Sequence, residues 1–368
     1  MKNAGVRFSN ARDRAFSNDV KAAVKAYFEE PGRSHRADRG MWLKAAFMIG
    51  LVFGSYGLII SGWLPLWGMW LCCVTLAIGV AGYGFNVMHD AVHGTFSKNP
   101  RVNAALGFIF DLTGASSYLW RLRHNIMHHS FTNIYGADVD LDANWILRLS
   151  PYAAHHPVQR YQHWYFPLAY AISSVHWILF KDYKSLSLRE HGCFREVTHA
   201  PGQVALLVGM KLLHYFNFIV LPLWLLDITV GQFLVGFLTL HVVTGLIMTL
   251  VFQVTHNVDI TDKYLSEPGK VLDHSWMVHE VKVSANFACE NRFVTWFVGG
   301  LNHQIEHHLF PHIAHCHYTA LRPIVKAVIE QHGLPYHEFD TMGAALASHR
   351  RMLRELGQSA VVEGYAIG

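Results

Sequence analysis

Four long apolar stretches, residues 43–62, 65–85, 204–226 and 231–252, constrain this chain more than any other feature of it. Each is near the roughly 20 residues that a helix needs to cross the hydrocarbon of a bilayer. Water is absent there, so a lone crossing segment satisfies its backbone only as a helix. The first two stretches leave room for a tight turn between them, and the last two are joined by Asp227, Ile228, Thr229 and Val230. They therefore read as two hairpins. With 52% hydrophobic and only 15% charged residues, the composition suits bilayer contact and makes the length of 368 residues a poor guide to domain number.

Charge then orients the hairpins. Neither short connection holds Lys or Arg, whereas the N-terminal, middle and C-terminal segments hold nearly all of them, so both tips are expected outside and both termini in the cytoplasm. Residues 165–180 form a fifth apolar stretch, but it is short, contains Pro167 and carries His176. We expect it at the interface, because a fifth span would put Lys181, Lys184 and Arg189 on the side opposite the first half of the chain. The fold class that results is an all-α integral membrane protein with a single domain. It comprises an N-terminal cytoplasmic segment (1–42), a first hairpin (43–85), a middle segment (86–203), a second hairpin (204–252) and a C-terminal segment (253–368), the last two cytoplasmic segments together forming a helical cap. Phe16, Val20, Ala23, Val24 and Phe28 recur at helical spacing among charges, which reads as an amphipathic helix rather than a signal peptide, and no cleavable leader is visible. The tail from Pro323, with Val325, Val328, Ile329, Leu353 and Leu356 among charges, reads as soluble helix.

A net charge of +4 suits an anionic membrane surface, but no run of Lys and Arg interleaves with aromatics, so nucleic acid is not an expected partner. The five cysteines form no CxxC pair, which leaves a zinc ribbon or disulfide framework unsupported and fits a reducing compartment. Histidine is the outlier, with 26 residues against 26 side-chain carboxylates. That excess points to imidazole chemistry.

The histidines fall into clusters at metal-ligand spacing. His89 and His93 are four apart, on one helix face; His124, His128 and His129 follow; His256 stands alone after the fourth stretch; and His307 and His308 close the run that begins at Gln304. Any one pair is as well explained by interfacial hydrogen bonding. Together, all on the cytoplasmic side, they read as a site for two metals, since imidazole suits iron and leaves coordination positions open for oxygen.

The segments GFNVMHDAVHG, WRLRHNIMHHSFTN and GGLNHQIEHHLFPHIAH resemble the three histidine boxes of the membrane fatty acid desaturase family, in the branch of acyl-CoA and front-end desaturases where Gln opens the last box. The resemblance runs from about Phe8 to Gly333. It implies four spans in two hairpins with a cytoplasmic helical cap holding a di-iron site, two non-haem iron ions, O2 as co-substrate and a fatty acyl substrate linked to CoA, a carrier protein or a lipid. Carried over by motif position, the ligands are His89, His93, His124, His128, His129, His256, His307 and His308, with Gln304 at or near a ninth place. Many front-end relatives carry an N-terminal cytochrome b5 domain with a His-Pro-Gly-Gly motif, absent here. Electrons are therefore expected from a separate donor, such as ferredoxin or cytochrome b5 with its reductase, in a bacterial inner membrane.

Several readings stay open at this level. His303, His307 and His308 repeat the HxxxHH pattern of the second box, yet at about 100° per residue Gln304 falls between His307 and His308 around the helix axis. Asp138, Asp140 and Asp142 fit either acceptors behind the ligand rings or a solvated acidic loop. Asn125 and Asn133 fit ligand orientation or helix caps. His279 and Asn286 read more simply as packing. His312, His315 and His317 have no evident ligand role, and Trp63, Trp67, Trp70 and Trp224 read as an interfacial belt. Within the spans only Lys211, His214 and His241 are polar enough to serve ion passage, which weighs against a non-enzymatic metal- or haem-binding transporter or sensor. An unactivated methylene offers neither an acidic proton nor a leaving group, so its chemistry needs an oxidant. The same oxidant serves a hydroxylase or an acetylenase, which the box chemistry does not exclude, but the QIEHH form of the last box and the two-hairpin layout argue for desaturation.

Overall fold

The computed structural model describes residues 2–3, 6–141, 145–267 and 269–358. It is mostly helical, with four helices long and apolar enough to cross a membrane: α2 (Arg39–Ile60), α3 (Leu66–Val92), α8 (Pro201–Leu225) and α9 (Val230–His256). Before them lies α1 (Arg14–Glu29), which buries Phe16, Val20 and Val24. Between α3 and α8 come α4 (Pro100–Leu112), the broken helix α5 (117–131), α6 (Gln162–Ala171) and the irregular helix α7 (173–187). After α9 come α10 (Trp276–Val283), α11 (Arg292–Phe297), α12 (Gln304–Leu309), α13 (Tyr318–Gln331) and α14 (Met342–Gln358). The strands among the described residues are two residues long and pair in twos.

Two of the four apolar helices outrun their hydropathy. α3 continues past Phe85 to Val92 and α9 past Phe252 to His256, so His89 and His256 sit on the helices themselves rather than after them. The reason is packing: at these ends polar groups are buried against other protein segments, and the helix no longer depends on lipid. Thr229 caps α9 in a reciprocal bond with Gln232. Ser55 and Thr75 meet at 2.9 Å between α2 and α3, Trp70 reaches Thr239 at 3.0 Å between α3 and α9, and the Tyr56 hydroxyl donates to the Asn217 carbonyl at 2.7 Å.

The fifth apolar stretch is not one of the long helices. It breaks at Ile172 between α6 and α7, and Leu168, Ile172 and Phe180 remain exposed. Its inner side packs on α9, where Gly245 lets the chain approach closely: a Cβ there would stand 2.8 Å from the Ala171 carbonyl oxygen. A buried ion pair, Lys211 to Asp182 at 2.7 Å, ties α8 to α7, and Lys211 also donates to the Gly114 carbonyl at 2.6 Å. His241 meets Ser174 at 2.9 Å and His214 the Leu112 carbonyl at 3.3 Å. Lys211, His214 and His241 thus hold neighbouring segments in place.

Candidate metal centre

At one end of the helices the histidines converge. α3 widens by one i→i+5 turn over Gly84–Met88, where the His89 N–H bonds the Gly84 carbonyl, and delivers His89 and His93. α5 widens over Arg121–His128 and delivers His124, His128 and His129. Such turns insert a residue into the helical repeat and recur at functional sites. α9 contributes His256 from its last position, and the short helix α12 contributes Gln304, His307 and His308. Two glycines with positive φ, Gly299 and Gly300, precede α12. A Cβ on Gly299 would lie 2.5 Å from the Phe85 carbonyl oxygen, so the last box is pressed directly onto the helix carrying the first.

The rings sort into two neighbouring groups. In one, the nitrogens of His89, His93, His124 and His307 lie within 4.8 Å of one another; in the other, those of His128, His256 and His308 do. His129 stands at the seam, its Nε2 3.2 Å from His124 Nε2 and 3.1 Å from His307 Nε2. His89 Nε2 and His124 Nε2 are 3.1 Å apart. Imidazole nitrogens held about 2.1 Å from one metal, on adjacent corners of its shell, stand about 3.0–3.4 Å apart, so these separations fit shared ligation. His93 Nε2 and His308 Nε2 are buried without a hydrogen-bond partner. All eight histidines carried over from the box motifs are brought to this place.

Behind the rings, oxygen atoms fix the tautomers. His256 Nδ1–H donates to the Val283 carbonyl at 3.0 Å. The Tyr318 hydroxyl donates to the Ile313 carbonyl, leaving its oxygen to accept from His307 Nδ1–H at 3.1 Å. Asp138 accepts a hydrogen bond from His128 Nδ1–H at 3.0 Å, and Glu280 one from His308 Nδ1–H at 2.7 Å. The Nε2 atoms of all four rings are thereby turned inward, the arrangement expected behind metal-ligating histidines. Burial lowers His93, His124, His129, His307 and His308 well below the usual histidine range, keeping them neutral. Burial opposes a charge on His128 too, but Asp138 and Asp140 outweigh it and raise that imidazole to about 9. Burial also raises Glu280 well above the carboxylate range, and its Oε1 has no partner. The neighbouring His128 opposes that rise without overcoming it.

Contacts bear on the remaining open readings. Gln304 Nε2 lies 2.9 Å from His256 Nε2, whereas among the described residues the His303 ring bonds only the Thr319 hydroxyl, at 3.4 Å. Asp138 lies behind a ligand-type ring and is no solvated loop residue; Asp142 lies outside the described residues. Asn133 is no helix cap either: at φ 57° it donates to the His256 carbonyl at 2.8 Å. Asn125 donates to the Val92 carbonyl at 3.0 Å, bridging the first two boxes. His279 is buried and bonds the Thr132 carbonyl at 2.7 Å, and Asn286 accepts from the Ile305 N–H at 2.9 Å. His315 bonds Asp90 at 2.7 Å and contacts Lys44 at 3.1 Å. Sequence reasoning passed over Glu280, Tyr318 and Asp90. An acid adjoining a histidine in an apolar run was the available signal, as in His279-Glu280 and His89-Asp90.

Beside the rings a cavity of about 510 Å³ reaches His124, His128 and His256. Val80, Phe110, Trp120, Trp177, Met248 and Phe252 give it an apolar wall, with Trp120 and Trp177 stacked 5.3 Å apart, and Arg123, Asp140, Lys181 and Lys184 also line it. A second cavity, about 540 Å³, lies between the opposite ends of the helices among Trp67, Trp70, Phe233 and Phe237, and no histidine lines it.

The sequence pattern described as "Fatty acid desaturase" matches residues 61–340. The chain is similar to the sn-1 linoleoyl-lipid 6-desaturase of Synechocystis sp., at 34% identity over 96% of this chain and 98% of that protein. A protein of the same name in Arthrospira platensis is 32% identical over 93% of this chain and 92% of its own length. The acyl-lipid (8-3)-desaturase of Physcomitrium patens is 30% identical, over 97% of this chain and 75% of that protein.

Proposed function

This chain belongs to the fatty acid desaturase family, a membrane oxidoreductase family acting on acyl chains, and from that premise we propose that it uses a histidine-held di-iron centre and O2 to desaturate a membrane acyl lipid. The observation carrying this reading is the convergence of inward-turned imidazole nitrogens 3.1–3.2 Å apart. His89, His93, His124 and His307 would hold one iron, and His128, His256 and His308 the other, with His129 between them and Gln304 beside the second. When bound, two irons supply the O2-derived oxidant that an unactivated methylene requires. The protein's part is positional: Asp138, Glu280, Tyr318 and the Val283 carbonyl orient the rings, and the apolar wall of the 510 Å³ cavity holds the chain against them, away from water. The names of the similar proteins support a lipid-linked substrate.

In this reading α2 with α3 and α8 with α9 form two hairpins, the segments 86–203 and 253–368 make a cytoplasmic cap, both termini are cytoplasmic in a bacterial inner membrane, and the whole is one domain fed by a separate electron donor. Cysteine labelling with an impermeant reagent at Gly62 and Thr229 tests the topology, which falls if Ser185 labels from the side opposite Lys98. Lipid analysis of a host expressing the chain and fed defined acyl chains tests the reaction. A new double bond upholds desaturation; a hydroxylated product overturns it. Zinc, or a single metal per chain, overturns the di-iron centre.

A further inference from the structure

The reaction proposed above balances as –CH2–CH2– + O2 + 2e⁻ + 2H⁺ → –CH=CH– + 2H2O, so each turnover draws two electrons from outside the substrate. They must reach rings that are almost wholly buried: His129 is 5% exposed, His308 0%. One helix links that interior to the surface. α10 touches the histidine boxes at three hydrogen bonds, from Trp276 Nε1–H to the His129 carbonyl at 3.0 Å, from His279 to the Thr132 carbonyl at 2.7 Å, and between Glu280 and His308 at 2.7 Å. Its first residue, Trp276, is half-buried, and the Trp276 backbone N–H bonds the side chain of exposed Asn10 at 3.1 Å. Asp273, just before the helix, is also exposed.

Resting on the di-iron reading, we propose that Trp276 is the port through which a one-electron carrier protein reduces the centre. Half-buried Trp276 holds the carbonyl of His129 with its indole N–H while its backbone meets exposed Asn10. From that carbonyl carbon only Cα and Cβ intervene before the His129 ring, whose Nε2 adjoins both His124 and His307. The same ring stacks 4.3 Å from that of His308, so an electron arriving there is next to both groups of ligands. In each transfer the carrier's redox group is oxidised by one electron and the centre reduced by one; the indole gains and loses nothing, and only couples the two. Two transfers serve one turnover, and the two protons come from water. The stacked rings of His274 and His279, 5.4 Å apart and bonded at 3.2 Å, run alongside to the Thr132 carbonyl and provide a second, longer route. Docking for such a step needs only a small, transient interface.

The test is anaerobic oxidation of a reduced carrier, cytochrome b5 or a [2Fe–2S] ferredoxin, by the iron-loaded full chain, beside reduction of the same protein by dithionite, which needs no docking. Trp276→Leu is expected to slow carrier oxidation about tenfold or more, with iron content and dithionite reduction unchanged. Trp276→Phe, which keeps a ring but loses the N–H bond, is expected to fall between. An unchanged carrier rate, or carrier and dithionite rates falling together, overturns the port. Should Trp276→Leu lose iron, Asn10→Cys capped with a bulky maleimide decides instead, against parent protein treated alike: slowed carrier oxidation supports the port, and an unchanged rate overturns it. A parent chain that binds iron but takes electrons from dithionite alone overturns the port; one that binds no iron overturns the di-iron reading first.

Discussion

The two ends of α3 and α9 belong to the same helices but live in different media. At their N-terminal ends Leu66, Trp67, Trp70, Val230 and Leu234 are exposed, and the cavity between them is lined by apolar and aromatic side chains. At their C-terminal ends Tyr83, Phe85, His89, Val254, Thr255 and His256 are buried, and polar atoms are matched one to another. Three donors, from Asn133, Thr261 and Lys263, converge on the His256 carbonyl alone. One end is specified by hydrophobicity, which tolerates exchange; the other by individual hydrogen bonds, which do not. Mutational sensitivity should therefore climb along each helix.

The steepest contrast is at the rings. His93→Ala, His128→Ala and His308→Ala are expected to abolish turnover and lose iron while the protein still enters the membrane; metal analysis and membrane fractionation check both. Activity retained in any of the three removes that residue from the centre. One layer out, Asp138→Asn and Glu280→Gln are expected to lower iron affinity about 10–100-fold, read by chelator competition. Equal iron retention in these variants and the parent would mean that the acids serve packing alone. Next, Gln304→Ala should cost about tenfold in turnover and His303→Ala little, because only Gln304 reaches His256. The reverse pattern would make the last box HxxxHH. At the far end, Trp67→Ala and Trp224→Ala should shift stability by no more than about 0.5 kcal/mol in detergent, followed by thermal unfolding. A large loss there would erase the contrast between the two ends.

How much of this was legible depended on the kind of signal. Hydropathy located the four long helices, and the i, i+4 spacing found His89 and His93, because both signals are local and periodic. The helix ends escaped because they are stabilised by distant partners: nothing near Phe252 announces that Asn133 and Lys263 will hold the chain helical to His256. Glu280 and Tyr318 escaped for the same reason, since their work is defined by rings elsewhere in the chain. Asp138 was visible only as one of two readings, a solvated acid or an acceptor, until its distance from His128 chose between them. Lys211 was visible only as a polar residue in a span, and nothing near it in sequence hints at its partner Asp182.

The widened turn at Gly84–Met88 has a consequence for how such a protein can change over generations. Upstream of it the helix must match the phase of α2 and α9; downstream it must match the phase of the imidazoles. An i→i+5 turn is a phase shifter between the two. Losing one residue there would swing His89 and His93 by about 100° while leaving the length and hydropathy of the segment almost untouched. Such a descendant would still be made, inserted and retained, yet would be chemically silent. Conversely, drift in the upstream half can accumulate without disturbing the metal-facing half, so a lineage can be refitted to a thicker or thinner bilayer while its oxidation chemistry stands still.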